Sequence, residues 1–127
     1  MGYRSEVGLA LTKHGVDILH SRLNDPEVSD ELHEHVLALL ERADEHYVDS
    51  ESGAEVWTWN WIKWYDTSPY CFSDVKFIAD TINELEDDDY RFIRIGEEYD
   101  DTEIAGGFWE NPFDLELTRG ITLCASA

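Results

Sequence analysis

The sequence predicts a single α+β domain over residues 1–127, a two-layer sandwich in which helices pack on one face of an antiparallel sheet. Its 127 residues match the usual size of one domain, and 43% of them are hydrophobic, which is enough for one core. Segments with strand and helix periodicity follow one another in the order β-α-α-β-β-α-β-β-β. No linker or internal repeat separates them. This order favours an antiparallel sheet with its helices on one side.

The first strand and the first helix are predicted from the spacing of apolar residues within segment 3–23. In segment 3–12 the apolar residues share one parity, as expected for a strand with one buried face: Val7, Leu9 and Leu11. His14-Gly15 ends this pattern. Apolar residues at helical spacing follow it: Val16, Ile18, Leu19 and Leu23. We therefore expect a short helix that ends at Asn24-Asp25-Pro26.

Two further helices have long apolar stripes. The stripe of the second helix consists of Leu32, Val36, Leu39, Leu40 and Ala43. The stripe of the third helix consists of Val75, Ile78, Ile82 and Leu85. Ser29 or Asp30 is expected to cap the second helix, and Ser73 the third. Both stripes should be buried against the same face of the sheet.

Five more segments are predicted to be strands: 47–51, 55–65, 90–95, 102–105 and 115–123. Segment 55–65 is apolar on both faces. Simple alternation places Trp57, Trp59 and Trp61 on one face and Val56, Thr58, Ile62 and Trp64 on the other. Such a strand is either central in the sheet or has one face against a partner. The sequence leaves open whether the tryptophan face is core or contact surface.

The charge of the chain excludes some partners and favours one. Asp and Glu number 29 against 9 Lys and Arg, so the net charge is −20. Such a surface repels nucleic acid and the anionic inner leaflet of a membrane. A basic protein surface is the partner that it attracts. Solubility alone, or adaptation to high salt, is the alternative explanation.

The acids are concentrated in one segment. Between Asp80 and Glu103, eleven acids and two bases give a charge of −9 over 24 residues. Part of this run would follow a helix C-terminus, where negative charge is unfavourable. We therefore predict a partner-binding surface that imitates nucleic-acid phosphates, while an ordinary solvated face is the alternative. Its residues are Asp87, Asp88, Asp89, Glu97, Glu98, Asp100, Asp101 and Glu103.

No pattern in the sequence indicates catalysis, so we expect no enzyme activity and no cofactor. Nucleophile elbows, phosphate-binding glycine loops and Cys-x-x-Cys pairs are missing. His33 and His35 are two residues apart on a helix, so they point to different sides. The runs 87–89 and 97–101 are rich in carboxylates but lack the spacing and central glycine of an EF-hand. We therefore predict no metal site.

Other features favour a cytoplasmic protein. The two cysteines, Cys71 and Cys124, are expected to be free thiols, since a domain of this size needs no disulfide. No apolar run approaches the roughly 18 residues that span a bilayer. The first residues have no apolar segment typical of a signal peptide.

Three segments, Met1–Val7, Trp61–Tyr65 and Phe92–Glu98, together resemble a family of small acidic proteins encoded by bacteriophages and prophages, mostly without assigned function. The resemblance implies that the Lys-Trp-Tyr strand precedes a helix and that the Arg-Ile-Gly-Glu-Glu strand leads into an acidic hairpin. The histidine-bearing helix and the loop at Phe108-Trp109 have no counterpart in this pattern.

The resemblance carries no catalytic residues to this chain. It implies a protein of the host cytoplasm that occupies a basic surface of a host protein, in the manner of an anti-defence inhibitor. A phage housekeeping protein with a soluble or salt-adapted surface is the second hypothesis. A small-molecule or cation-binding domain is the third. The sequence specifies neither the host target nor the oligomeric state.

Overall fold

A computed structural model describes residues 4–64, 74–98 and 100–108 of the chain. Its elements are β1 (Ser5–Leu11), α1 (Lys13–Leu23), α2 (Asp30–Glu41), β2 (Glu45–Val48), β3 (Glu55–Ile62), α3 (Asp74–Glu84), β4 (Tyr90–Gly96) and β5 (Thr102–Ala105). A 3₁₀ turn, Asp87–Asp89, lies between α3 and β4. The predicted order is confirmed for these eight elements. The predicted strand at 115–123 and the predicted cap Ser73 lie outside the described residues.

The five described strands form one antiparallel sheet in the order β2-β3-β1-β4-β5. β1 is central, so that Leu9 lies opposite Trp57 on one side and Phe92 on the other. These residues belong to a core that also contains buried residues of all three helices. The predicted α+β class, with the helices packed on one face of an antiparallel sheet, is confirmed.

The three helices bury the apolar stripes that the sequence predicts. α1, however, begins at Lys13, so His14-Gly15 lies within the helix and not at a break before it. Thr12 Oγ1 accepts a hydrogen bond from the Gly15 backbone N–H, and Ser29 Oγ accepts one from the Leu32 N–H. Both caps satisfy amides that have no partner within the helix. The core residues of the three helices are Val16, Leu19, Leu23, Val36, Leu39, Val75, Phe77, Ile78 and Ile82. No helix of the described residues is long and apolar enough to cross a membrane.

The short strand predicted at 47–51 lies slightly earlier, at Glu45–Val48. It ends because Asp49 starts a turn: its carboxylate accepts hydrogen bonds from the Ser52 N–H at 3.0 Å and the Ser52 hydroxyl at 2.5 Å. Gly53, with φ of 78°, completes the turn and leads into β3. The local hydrogen bonds therefore replace the strand pairing that the sequence suggested for residues 49–51.

A β-bulge lies near the end of β3. The aligned pairs on its two sides are Val7–Trp59 and Ser5–Ile62. Two residues, Asn60 and Trp61, therefore lie opposite the single residue Glu6. One extra residue in a strand reverses the alternation of side chains beyond it.

The bulge makes part of the predicted pattern for β3 wrong. Trp57 and Trp59 are buried in the core, as their parity predicts. Trp61 has the same parity but is 60% exposed. Ile62 and Trp64, predicted for the opposite face, pack with the core instead. The tryptophan face is thus core at two positions, while Trp61 lies at the surface.

Candidate functional site

The predicted acidic hairpin is formed by β4 and β5, which pair with Arg94 opposite Glu103. The predicted site residues do not form one cluster. Asp87–Asp89 precede β4, whereas residues 97–101 follow it. Seven residues of extended strand lie between Asp89 and Glu97, so at roughly 3.3 Å per residue the two groups are about 26 Å apart. The acids therefore occupy both ends of a single hairpin.

The end of the hairpin at residues 97–101 is anchored by Arg94. Its Nη2 donates to Asp101 Oδ1 at 2.7 Å, and its Nε donates to Glu103 Oε1 at 3.0 Å. Its Nη1 also donates to the buried hydroxyl of Ser5 at 3.0 Å, which ties the hairpin to β1. The hydrogen bond that Arg94 donates to Asp101 is the main reason why the pKa of Arg94 lies above its ordinary value, while burial opposes this shift. Asp101 and Glu103 therefore have a structural role in addition to any contact with a partner.

The other end of the hairpin is anchored by Asp89. Its Oδ1 accepts a hydrogen bond from Thr12 Oγ1 at 2.8 Å, and its carbonyl accepts one from the Thr12 N–H at 3.0 Å. His14 Nε2 lies 4.0 Å from the same carboxylate. These contacts join the segment before β4 to the start of α1. Asp89 therefore has a structural role, because it holds the start of β4 against the start of α1.

The acidic run follows α3, as the sequence predicts, but it forms a separate turn and is not part of the helix terminus. α3 ends at Glu84, and Asp87–Asp89 form a separate 3₁₀ turn. The carbonyl of Asp87 accepts a hydrogen bond from the Gly107 N–H at 2.5 Å. Burial, and then the charge of Asp87, raise the pKa of Tyr90. The run therefore belongs to the base of the hairpin and not to the helix terminus.

The remaining predicted residues lie at the surface: Asp87, Asp88, Glu97, Glu98 and Asp100. Glu97 Oε2 accepts a hydrogen bond from the Arg4 backbone N–H at 2.5 Å. The carboxylates of Asp87, Asp88 and Asp100 make no hydrogen bond or ion pair with another described residue. These three are the acids of the hairpin that are most available to a partner.

The two arginines of the acidic segment are withdrawn from its surface. Arg91 is 5% exposed, and its Nη1 lies 3.4 Å from the Gly106 carbonyl oxygen. The side chain of Arg94 is 16% exposed and is enclosed by Asp101 and Glu103. Arg94 neutralises the two acids that it pairs with, while the solvent-facing carboxylates of Asp87, Asp88 and Asp100 are not paired with either arginine.

The histidines make local contacts. His33 Nδ1 lies 2.9 Å from the Leu23 carbonyl oxygen. The His46 ring stacks on Trp57 with 5.1 Å between ring centres, and its Nε2 lies 2.8 Å from Glu55 Oε1. Within residues 4–64, 74–98 and 100–108, no group of three or more His, Cys, Asp or Glu is arranged to hold a metal ion.

Sequence reasoning missed a second surface, a cleft of about 380 Å³ beside the β3 bulge. Its lining includes the exposed ring of Trp61 and three basic side chains: Arg4, Arg42 and Lys63. These bases belong to three distant segments of the chain, so no local pattern brings them together. The exposed tryptophan was the available signal, but regular alternation assigned it to the same face as Trp57 and Trp59.

No protein-family model, curated protein or solved structure matches the chain. The fold and the two surfaces define an α+β structure with an anchored acidic hairpin and a small basic cleft.

Proposed function

We propose that the chain is a non-catalytic binding protein whose acidic hairpin occupies a basic surface of another protein. The observation that supports this most is the withdrawal of Arg91 and Arg94 from the hairpin surface. Both positive charges of the segment are held inside, so the carboxylates that face solvent are not interrupted by bases. A surface built only for solubility gains nothing from this separation.

The anchoring of the hairpin supports the same proposal. Arg94 fixes one end through Asp101 and Glu103, and Asp89 fixes the other through Thr12. The exposed acids lie next to these anchors. Groups that are already ordered lose less conformational entropy when they bind, so their charge contributes more to affinity.

A nucleic-acid-binding protein of a phage host is the partner that we propose. The two acidic groups lie about 26 Å apart, which is close to eight base steps of roughly 3.4 Å along a duplex strand. Basic residues that contact phosphates would meet carboxylates at both ends of the hairpin. The net charge of −20 would also accelerate the encounter with a basic surface. The resemblance to small acidic phage proteins motivates the host context.

The test is a variant in which Asp87, Asp88 and Asp100 are replaced by Asn. We expect it to fold normally, because none of the three side chains has a bond to another described residue. Proteins captured from a bacterial lysate by the wild-type chain should be identified and purified. Their association rate should fall roughly tenfold or more in the variant at low salt, since electrostatic steering is lost. Short duplex DNA should compete with the wild-type chain for the same partner.

A matched control neutralises three exposed acids of α2: Glu31→Gln, Glu34→Gln and Glu41→Gln. It changes the net charge by the same amount at a site away from the hairpin. A smaller effect on the association rate is expected for this control. If both triple variants slow association equally, net charge and not the hairpin determines binding. If neither does, the acidity serves solubility or salt tolerance and the proposal fails.

A further inference from the structure

The cations of this chain are distributed unevenly. Among the described Lys and Arg residues, four make ion pairs within the chain: Lys13, Arg22, Lys76 and Arg94. Arg91 is buried. The other three described bases, Arg4, Arg42 and Lys63, make no ion pair with a described residue, and all three line the cleft beside the bulge. In a chain with 29 acids, a cleft lined by three bases and a single acid, Asp44, is unexpected.

The topology explains why these bases meet. Arg4 precedes β1, and Lys63 follows β3, which is antiparallel to β1 and adjacent to it. Arg42 follows the last residue of α2. Asp44 offsets one of the three positive charges, and the repulsion among the bases that remains is relieved when an anion binds between them. The arrangement therefore indicates a site for an external anion.

Trp61 adds a flat apolar surface to the same cleft. At 60% exposure it is the most exposed of the large hydrophobic residues that the structure describes. The bulge, which places two residues opposite one, turns it out of the core. Exposed tryptophan rings bind planar rings by stacking. The fourth polar group of the cleft is Asp44, whose Oδ2 accepts a hydrogen bond from the Asn60 N–H at 2.6 Å.

We propose that this cleft binds a small phosphorylated ligand with a planar ring, such as a nucleoside monophosphate. The ring would stack on Trp61, and the phosphate would be bound by Arg42, Arg4 and Lys63. Guanidinium groups suit this role because their donors match pairs of phosphate oxygens. The volume of about 380 Å³ lies within the range of small-molecule sites.

The charge of the rest of the molecule restricts the length of the ligand. Outside the cleft, acids outnumber bases even more strongly than in the whole chain, whose net charge is −20. A nucleic-acid strand that extended beyond the cleft would meet this negative surface and be repelled. A single nucleotide can be neutralised within the cleft. The proposed ligand site does not depend on the function of the acidic hairpin, because the two surfaces consist of different residues.

The experiment titrates the intact chain with each nucleoside monophosphate at low salt, and follows tryptophan fluorescence and heat of binding. Adenosine and inorganic phosphate serve as probes of the ring and of the phosphate alone. We expect saturable binding of at least one nucleoside monophosphate, and weaker binding of both partial probes. Phosphate binding as tight as that of every nucleotide would overturn the role of Trp61. Absence of saturable nucleotide binding would overturn the proposal.

Variants locate the site. Arg42→Gln should weaken nucleotide binding roughly tenfold or more, because it removes a charge-assisted contact. Trp61→Ser should weaken it by roughly five- to a hundredfold, and Trp61→Phe, which keeps a ring, should retain most of it. The matched controls are Lys13→Gln, an ion-paired base, and Tyr47→Ser, an exposed aromatic residue of β2. Equal losses in variants and controls would show that binding lies elsewhere.

The hairpin proposal and the cleft proposal fail separately in these experiments. The triple Asn variant of the hairpin should bind nucleotide as the wild-type chain does. Conversely, Arg42→Gln should leave the association with a basic protein partner unchanged.

Discussion

Replacing Arg94 with methionine removes the guanidinium that anchors the acidic hairpin while keeping an unbranched side chain in its place. The change deletes hydrogen bonds to Asp101, Glu103 and the buried Ser5 hydroxyl. A hydrogen bond to a charged group contributes about 1.5–3 kcal/mol. Because the side chains of Asp101 and Glu103 are 32% and 48% exposed, water can replace some of the hydrogen bonds that they accept from Arg94. We therefore expect the free energy of unfolding to fall by about 2–3 kcal/mol.

Urea unfolding measures this difference, and Lys76→Met is the matched control. Lys76 pairs with Asp80 one helical turn away, and both side chains are nearly half exposed. Such a pair contributes about 0.3–0.5 kcal/mol. A double-mutant cycle between Arg94→Met and Asp101→Asn should give a coupling of about 1.5–2 kcal/mol. If Arg94→Met destabilises the chain no more than Lys76→Met does, Arg94 does not anchor the hairpin.

Two further predictions test the core and one turn. Leu39 on α2 is 0% exposed, so Leu39→Ala should lower the free energy of unfolding by about 3–4 kcal/mol and Tm by about 10 °C or more. Leu37 on the same helix is 39% exposed, so Leu37→Ala should change the free energy of unfolding by less than about 0.5 kcal/mol. Equal effects in thermal denaturation would mean that the buried face of α2 is misassigned. Hydrogen bonds from the Ser52 hydroxyl and N–H hold the pKa of Asp49 below its ordinary value of 3.8. This contribution to stability is present above pH 3.8 and is lost as the pH falls through the lowered pKa. NMR titration should show the low pKa in the wild-type chain and a return toward 3.8 in Ser52→Ala; an unchanged pKa in that variant would contradict the assigned cause.

Helices and their buried stripes could be predicted because helical periodicity is a local property of the sequence. Leu32, Val36 and Leu39 share a face whatever else the chain does. The bulge could not be predicted in this way. It depends on how many residues of β3 lie opposite a given length of β1, which is a property of two strands. The alternation of Trp57, Trp59 and Trp61 is regular in the sequence, so nothing local indicates that the third ring leaves the core.

The acidic hairpin could be predicted from the sequence, whereas the basic cleft could not. The acids of the hairpin lie within one segment of 24 residues, so its composition alone revealed them. Their anchoring to Arg94 follows from the register of β4 and β5, which the turn length between these strands determines. Once that register is known, Arg94 and Glu103 form an obvious cross-strand pair. Arg4, Arg42 and Lys63 are brought together only by tertiary packing, and a sequence without that packing contains no sign of their proximity.

The bulge in β3 also allows surface positions 60 and 61 to change independently of the hydrophobic core. If either Asn60 or Trp61 were deleted, one outward residue would remain between Trp59 and Ile62, and both of these would still face the core. The core residues on either side therefore keep their orientation when one residue is deleted at this point. A side chain beside the cleft can be gained, lost or exchanged while the interior stays constant. Selection can act on recognition there without a matching adjustment of the hydrophobic core.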